Sequence, residues 1–186
     1  MRLFVALEIS STVRENLAEL LNTLRAASPQ TRWVRPENLR ITLKFIGEVP
    51  ETKLAAIRAA LAQVRSEHAV TLDFRGLGFF PNEKHPRVLW AGIEASPNLK
   101  TLAADIEKAM GALGIASEQR PFSPHLTLAR FESQRLTDNL QAAIQENAGR
   151  DFGSLGSNQF HLIESKLKPS GAEYTTVESF SFAAEA

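Results

Sequence analysis

The sequence contains no cysteine among its 186 residues. This absence excludes disulfide bonds, zinc sites built on thiolates and a cysteine nucleophile. An excess of charge of one sign is also lacking, since 21 Lys and Arg residues balance 21 Asp and Glu residues. The composition alone therefore implies no bulk attraction for nucleic acid.

Long apolar runs are missing as well. No apolar segment approaches the roughly 20 residues that a membrane-spanning helix needs. The opening MRLFVALEIS is apolar, but Glu8 interrupts it too early for a signal peptide. We therefore expect a soluble cytoplasmic protein that does not have a membrane as a partner. With 44% apolar residues, the chain can form one globular domain or two small fused lobes.

Strand and helix patterns alternate along the first part of the chain. RLFVALEI (2–9) is rich in β-branched and aromatic residues and predicts a buried strand. Residues 10–12 offer a helix N-cap with Glu15 placed for a capping box, and the helix is predicted to end near Ala27. The other predicted elements here are a strand at 39–47, a helix from Pro50 to about Glu67 and a strand at 70–80.

The same order recurs in the second part, which indicates an ancient duplication. We expect an α+β fold with two pseudo-symmetric lobes of mainly antiparallel sheet, helices outside and an active-site cleft between them. One bilobal domain is predicted over 1–186, with halves of roughly 1–80 and 87–186 that can exchange segments, and with 81–86 as the crossing loop. The predicted elements are strands at 87–94, 125–131, 158–167 and 173–182 and helices at 96–114 and 137–149.

Two related strands carry pairs of polar residues. In NLRITLKFIGEV, Arg40 and Thr42 are two positions apart, so both side chains face one side of a strand. The same alternation predicts that Ile41, Leu43 and Phe45 face the other side. The first strand thus presents a guanidinium beside a hydroxyl group.

The stretch SPHLTLAR repeats the pattern with His125 and Thr127. An imidazole and a hydroxyl group supply a titrating base and a neutral hydrogen-bond donor, which suits a phosphate ligand. An isolated His-x-Thr is commonly a surface pair, but Pro124, Arg130 and the related first strand favour a site. Two such strands facing each other can place a base and an acid on opposite sides of one phosphorus atom.

These motifs, with FFPNEKHPRVLWAGI, RPFSPHLTLAR and ESKLKPSGAEY, resemble the bacterial RNA 2′,3′-cyclic phosphodiesterases of the two-histidine phosphoesterase superfamily, also called 2′-5′ RNA ligases. The similarity spans nearly the whole chain in the same order. The signature of that family is two His-x-Thr-x tetrads. The second is intact at 125–128, whereas Arg40 replaces the histidine of the first.

The resemblance implies hydrolysis of RNA 2′,3′-cyclic phosphate ends to 2′-phosphomonoesters, with reversible 2′-5′ ligation of RNA ends. It implies no metal and no other cofactor, and RNA ends or nucleotides with a cyclic phosphate as partners. In the family roles His125 is the proton acceptor that activates water, and Arg40 occupies the position of the proton donor. Thr42 and Thr127 would bind the non-bridging phosphate oxygens, whose charge Arg130 would neutralise.

The replacement at position 40 has a chemical consequence. Arginine keeps its proton up to about pH 12, so Arg40 is predicted to hold a phosphate without protonating the leaving oxygen. That protonation is typically worth about 10²–10⁴ in rate. We therefore expect an enzyme with slow turnover. We also expect it to be a monomer. The alternatives are a non-catalytic module that binds RNA ends or nucleotide phosphates, and an esterase for another small cyclic phosphate.

The remaining histidines and aromatic residues are less informative. His85 is predicted in an exposed loop, His68 in solvent, and His161 as a hydrogen-bonded residue within a sheet. Phe122 is a candidate for base stacking, with core packing as the alternative. Tyr174 is expected to approach the cleft from the late β-hairpin.

Overall fold

The computed structural model describes residues 1–132 and 135–183. No helix in this part of the chain is long and apolar enough to cross a membrane. The strands are β1 (Arg2–Glu8), β2 (Arg32–Trp33), β3 (Arg40–Glu48), β4 (Val70–Phe80), β5 (Val88–Ala95), β6 (His125–Arg130), β7 (Asp151–Ser157), β8 (Gln159–Lys168) and β9 (Gly171–Ser181). The helices are α1 (Ser11–Ala27), α2 (Leu54–Leu61), α3 (Asn98–Gly111) and α4 (Asp138–Glu146).

The strands form two antiparallel sheets. The first has the order β3-β1-β8-β9 and the second the order β2-β6-β5-β4-β7. Neighbouring strands run antiparallel throughout both sheets. The predicted α+β fold with mainly antiparallel sheets is confirmed.

Each sheet takes strands from both parts of the chain. β4 belongs to the second sheet, whereas β8 and β9 complete the first. The prediction that 81–86 crosses between the lobes is wrong, because this loop joins β4 to β5 within one sheet. The orders β3-β1-β8-β9 and β6-β5-β4-β7 correspond strand by strand. This correspondence fits the duplication, which stays a prediction.

The ends of α1 and α2 follow from local and tertiary hydrogen bonds. Ser10 caps α1, and its side chain accepts from the backbone N–H of Val13 at 3.3 Å. This cap places N3 at Val13, so the predicted capping box with Glu15 is wrong. α2 ends at Leu61 rather than near Glu67 because the chain turns there, and the N–H of Ser66 bonds to the carbonyl of Phe182 at 2.9 Å.

β7 is a strand that the sequence did not predict. Its residues, DFGSLGS, include two glycines and only one buried side chain, that of Phe152. β7 lies at the edge of the second sheet, where β4 is its partner strand. Sheet pairing, rather than strand propensity, therefore determines its conformation.

The main core joins residues of all four helices to both sheets. Leu3, Val5 and Leu7 bring one face of β1 into this core. On the opposite face of the first sheet, Phe4, Ala6 and Ile163 form a separate small cluster. Helices therefore cover one face of the first sheet and leave the other face for the candidate site.

Candidate active site

The first motif strand contains a β-bulge directly after its threonine. Thr42 and Lys44 pair with consecutive residues of β1, Ala6 and Val5, which leaves Leu43 as the extra residue. A bulge shifts the alternation of side chains by one position. Residues beyond the bulge therefore face the opposite side from that expected for a regular strand.

Phe45 is the residue that this bulge redirects. It pairs with Phe4, and the centroids of the two rings are 6.3 Å apart. Phe4 shares its face with Ala6, which is the partner of Thr42. The prediction that Phe45 faces away from Thr42 is wrong: its ring lies on the same face and is 60% exposed.

The second motif strand has a bulge at the equivalent place. Thr127 and Ala129 pair with consecutive residues of β5, so Leu128 is the extra residue. Arg130 follows His125 by an odd number of positions and would face away from it in a regular strand. The bulge returns Arg130 to the face that carries His125 and Thr127, and its side chain is exposed.

Arg40 is held by three contacts on the open face of the first sheet. Its Nε donates to Oε1 of Glu8 at 2.9 Å, and its Nη1 donates to the carbonyl of Glu37 at 3.0 Å. The guanidinium carbon lies 5.5 Å from the ring centre of Tyr174, which approaches the site from β9 as predicted. Its Nη2 group makes no hydrogen bond within the described part of the chain. One edge of the guanidinium thus stays available for an anion.

His125 has a fixed orientation. Its Nδ1 lies 2.8 Å from the carbonyl oxygen of Ser123. A carbonyl oxygen only accepts, so Nδ1 carries the proton, and Nε2 of the neutral ring is an acceptor with no hydrogen-bond partner among residues 1–132 and 135–183. The edge-to-face contact with Phe80, at a centroid distance of 4.9 Å, holds the ring from another side. This arrangement suits a base that removes a proton from water.

Aromatic residues form the floor beside His125. Trp90 pairs with Thr127, and its ring lies over Gly78, where an added Cβ would come within 2.2 Å of the ring. Phe80 contacts Trp90 at a centroid distance of 5.8 Å and is 37% exposed. Phe122, in contrast, is half-buried and packs against the main core. The exposed aromatic rings near the two motifs are thus those of Phe80 and Phe45.

His161 lies on the open face of the first sheet. Ala6 pairs with Thr42 on one side and with His161 on the other. The Nδ1 of His161 is 2.8 Å from the hydroxyl of Ser179, which confirms the predicted hydrogen-bonded sheet histidine. Burial lowers the pKa of His161 from its ordinary value, against an opposing effect of Glu8 and with a further lowering by Arg40.

The two tetrads lie on strands that contact each other, β3 and β6, although the strands belong to different sheets. Within residues 1–132 and 135–183, no hydrogen bond or ion pair joins Arg40 or Thr42 to His125 or Thr127. A surface cavity of about 470 Å³ lies elsewhere, beside residues 83–86, Arg135, Leu136 and Gln141. The candidate site is therefore defined by the two strand faces.

Comparisons with known proteins identify the family of this chain. A family model described as LigT like Phosphoesterase matches residues 7–90 and 93–174. The chain belongs to this family. One relative of this LigT-like phosphoesterase, the RNA 2′,3′-cyclic phosphodiesterase of Methanothermobacter thermautotrophicus, is 33% identical over 180 residues, covering 96% of this chain and 97% of the relative.

Solved structures support the LigT-like fold. The crystal structure of TT0787 of Thermus thermophilus matches with a TM-score of 0.82 and 32% identity, over 100% of both chains. Escherichia coli LigT complexed with 3′-AMP matches with a TM-score of 0.78 and 27% identity, over 98% of both chains. The family resemblance predicted from the sequence is confirmed.

Sequence reasoning missed Glu8, Phe45 and Phe80 as residues of this LigT-like site. Glu8 could have been identified from the sequence, because it is a charged residue that interrupts an apolar strand. In the structure it pairs directly with Arg40. No sequence feature identifies Phe45, since only the bulge brings it to the site. Phe80 follows Phe79 in the sequence, and alternation alone does not show which of the two faces His125.

Proposed function

We propose that this LigT-like phosphoesterase hydrolyses RNA 2′,3′-cyclic phosphate ends to 2′-phosphomonoesters, with His125 as the base. The observation that carries the proposal is the 2.8 Å contact of His125 Nδ1 with the Ser123 carbonyl, which leaves Nε2 as an acceptor for a water proton. The name of the Methanothermobacter thermautotrophicus relative, an RNA 2′,3′-cyclic phosphodiesterase, supports the substrate class.

The reaction begins when Nε2 of His125 takes a proton from water as the water oxygen attacks phosphorus. The bond from phosphorus to the 3′-oxygen breaks, the electron pair stays on that oxygen, and a proton completes the 3′-hydroxyl. Thr42 and Thr127 donate hydrogen bonds to the non-bridging oxygens, and Arg130 offsets their charge. An RNA 5′-hydroxyl in place of water gives a 2′-5′ linkage, so the same site supports reversible ligation.

Turnover is expected to be slow because Arg40 does not donate its proton near neutral pH. Arg40 instead contributes positive charge and the Nη2 edge toward the phosphate, a role that arginine plays in other phosphoryl transfers. We also expect the protein to act as a monomer in the cytoplasm, as one domain with two duplicated lobes. No metal or other cofactor takes part in the proposed reaction.

One observation favours a second function, that of a non-catalytic module for RNA ends. Arg40 is integrated through Glu8, Glu37 and Tyr174 rather than left as an isolated substitution. Such a guanidinium suits capture of a phosphate without release of a proton. In this case the protein would bind a 2′,3′-cyclic phosphate end and leave it intact.

The decisive experiment measures hydrolysis of 2′,3′-cyclic AMP, and of a short RNA with a 2′,3′-cyclic phosphate end, at high protein concentration. The first function predicts a 2′-phosphomonoester product whose formation is lost in His125→Ala and retained in the exposed-histidine control His68→Ala. Binding without any product supports the second function. Comparison with ADP-ribose 1″,2″-cyclic phosphate tests the esterase alternative, which predicts faster turnover of that compound.

A further inference from the structure

His161 faces the same side of the first sheet as the first tetrad. Thr42, Ala6, His161 and Ser179 occupy one row across four neighbouring strands. Adjacent strands lie about 4.8 Å apart, so the backbones of Thr42 and His161 are separated by about 10 Å. The residue between them, Ala6, is fully buried beneath longer side chains, and His161 itself is 6% exposed.

The charged groups of the first tetrad extend toward His161. Arg40 starts on β3, and its guanidinium lies over Tyr174 of β9, so the side chain reaches across the sheet. Glu8 binds Arg40 and is itself 3.5 Å from Arg14. Both Glu8 and Arg40 act electrostatically on His161. The imidazole is thus part of the polar group that surrounds position 40.

One nitrogen of His161 is free. Nδ1 is 2.8 Å from the hydroxyl of Ser179, which fixes the ring. Nε2 has no hydrogen-bond partner in the described part of the chain, and it is not among the side-chain atoms sealed from solvent without a partner. A ring with one fixed nitrogen and one free nitrogen is the usual form of a histidine that transfers protons.

We propose that His161 supplies the second imidazole of this active site and donates the proton to the leaving oxygen, in place of the histidine missing at position 40. The proposal rests on the proposed hydrolysis. As the bond between phosphorus and the 3′-oxygen breaks, that oxygen keeps the electron pair and takes the proton from Nε2 of His161. His125 takes the proton from the attacking water and becomes charged, while His161 gives up its proton and becomes neutral. Proton exchange with solvent then returns both rings to their starting states.

Substrate binding favours the protonated form of His161 on electrostatic grounds. Burial lowers the pKa of His161 most, Glu8 raises it by attracting a positive charge on the ring, and Arg40 opposes that charge and lowers the pKa further. A phosphate bound at the free edge of Arg40 offsets that opposition, because an anion close to the ring favours its charged form. Tyr174, on the far side of Arg40, completes the titratable groups on this face. A bound phosphate therefore shifts His161 toward its charged form, from which it donates the proton.

The first test is a set of variants assayed on 2′,3′-cyclic AMP. His161→Leu is expected to lower kcat by about tenfold or more, because His161 supplies part of the roughly 10²–10⁴ that a general acid at the family position contributes. Arg40→His restores a donor at the family position, so Arg40→His/His161→Leu is expected to match Arg40→His alone. If His161 has only a structural role, Arg40→His/His161→Leu is expected to be less active than Arg40→His, since a histidine two strands away cannot repair lost packing. His161→Gln, which keeps a polar group toward Ser179, replaces the leucine variant if that variant does not fold.

The second test changes the leaving group. In a 2′,3′-cyclic substrate whose 3′-oxygen is replaced by sulfur, the leaving thiolate needs no proton, because thiols ionise near pH 8.5. His161→Leu is then expected to hydrolyse this substrate within about threefold of the unmodified protein, while it remains impaired on the oxygen substrate. His125→Ala is expected to lose both reactions, and His68→Leu neither.

The outcomes separate the two proposals. Hydrolysis that requires His125 but is unchanged in His161→Leu overturns the role of His161 and leaves the proposed function intact. An equal loss on the oxygen and sulfur substrates also overturns it. If the unmodified protein hydrolyses neither substrate, the proposed function fails and this inference fails with it.

Discussion

Arg40 on β3 and Glu8 on β1 are direct cross-strand partners, and the Nε of Arg40 donates to Oε1 of Glu8 at 2.9 Å. The Arg40 side chain is only 13% exposed and that of Glu8 is 32% exposed, so this pair is more sheltered than a surface ion pair. In an Arg40→His variant the same carboxylate is expected to accept a hydrogen bond from the ring and orient it.

The first prediction concerns restoration of the family histidine. Arg40→His is expected to raise kcat for 2′,3′-cyclic AMP by about tenfold or more, because it places a proton donor beside Thr42, whereas His161, the donor proposed for the unmodified protein, lies two strands away. Steady-state kinetics measure the effect. In Arg40→His/Glu8→Gln the gain is expected to shrink, since the new ring loses its anionic partner. An Arg40→His variant no faster than the unmodified protein contradicts the assigned role of position 40.

A second prediction concerns the exposed rings. Stacking on an aromatic side chain is worth about 1–3 kcal/mol per base, so Phe80→Ala is expected to raise KM for 2′,3′-cyclic AMP by about fivefold or more. Phe45→Ala is expected to raise KM for an RNA of several nucleotides more than KM for the mononucleotide, because Phe45 lies on the other sheet. Phe122→Ala tests the sequence-based stacking prediction and is expected to lower stability instead, since that ring packs on the core. If KM in all three variants equals KM of the unmodified protein, base stacking at these positions is contradicted.

A third prediction follows from the lowered pKa of His161. Below its ordinary pKa of 6.5, the unfolded chain takes up a proton that the folded protein resists. The free energy of unfolding is therefore expected to fall as the pH drops below 6.5 and to be unaffected by this group above it. Urea unfolding at pH 5.5 and pH 7.5 measures the change, which is expected to be smaller in His161→Leu. An identical pH dependence in both proteins would contradict the assignment.

The fourth prediction concerns the buried ammonium group of Lys44. Its Nζ donates to Oε1 of Glu107 at 2.9 Å and to the carbonyl of Ala116 at 2.7 Å. Lys44→Met is expected to lower the free energy of unfolding by about 2–4 kcal/mol, because the Ala116 carbonyl loses its donor and the Glu107 carboxylate keeps only the backbone N–H of Glu118, at 3.2 Å. Arg75→Met breaks the surface pair with Asp151 and is the matched control, with an expected loss below about 1 kcal/mol. Equal losses of unfolding free energy in Lys44→Met and Arg75→Met would contradict a larger contribution from the buried ion pair.

The sequence predicted most elements of the fold because their residues have a clear period. α1 shows this well, since its apolar residues recur at helical spacing and Ser10 supplies the cap. β7 was missed because glycine and serine give it no alternating pattern, and it becomes a strand only by pairing with β4. α2 ends earlier than its composition suggests because Ser66 pairs with the backbone of Phe182, far along the chain.

The site was predictable to the extent that its residues lie in one motif. His125 and Thr127 are two apart, so their shared face follows from strand geometry. Arg130 was implied by the family resemblance, but the physical reason for its orientation is the bulge at Leu128. A bulge depends on how the strand pairs with its neighbour, and the sequence of one strand alone does not predict that pairing. For the same reason the placement of Phe45 was wrong.

The exchange of strands between the two sheets has a consequence for synthesis on the ribosome. β1 and β3 emerge first, yet the other edge of β1 is completed only by β8, at residues 159–168. A nascent chain that lacks the last strands therefore carries an open strand edge, which can pair with other chains. Synthesis of β8, rather than growth of the N-terminal portion alone, is what closes this edge.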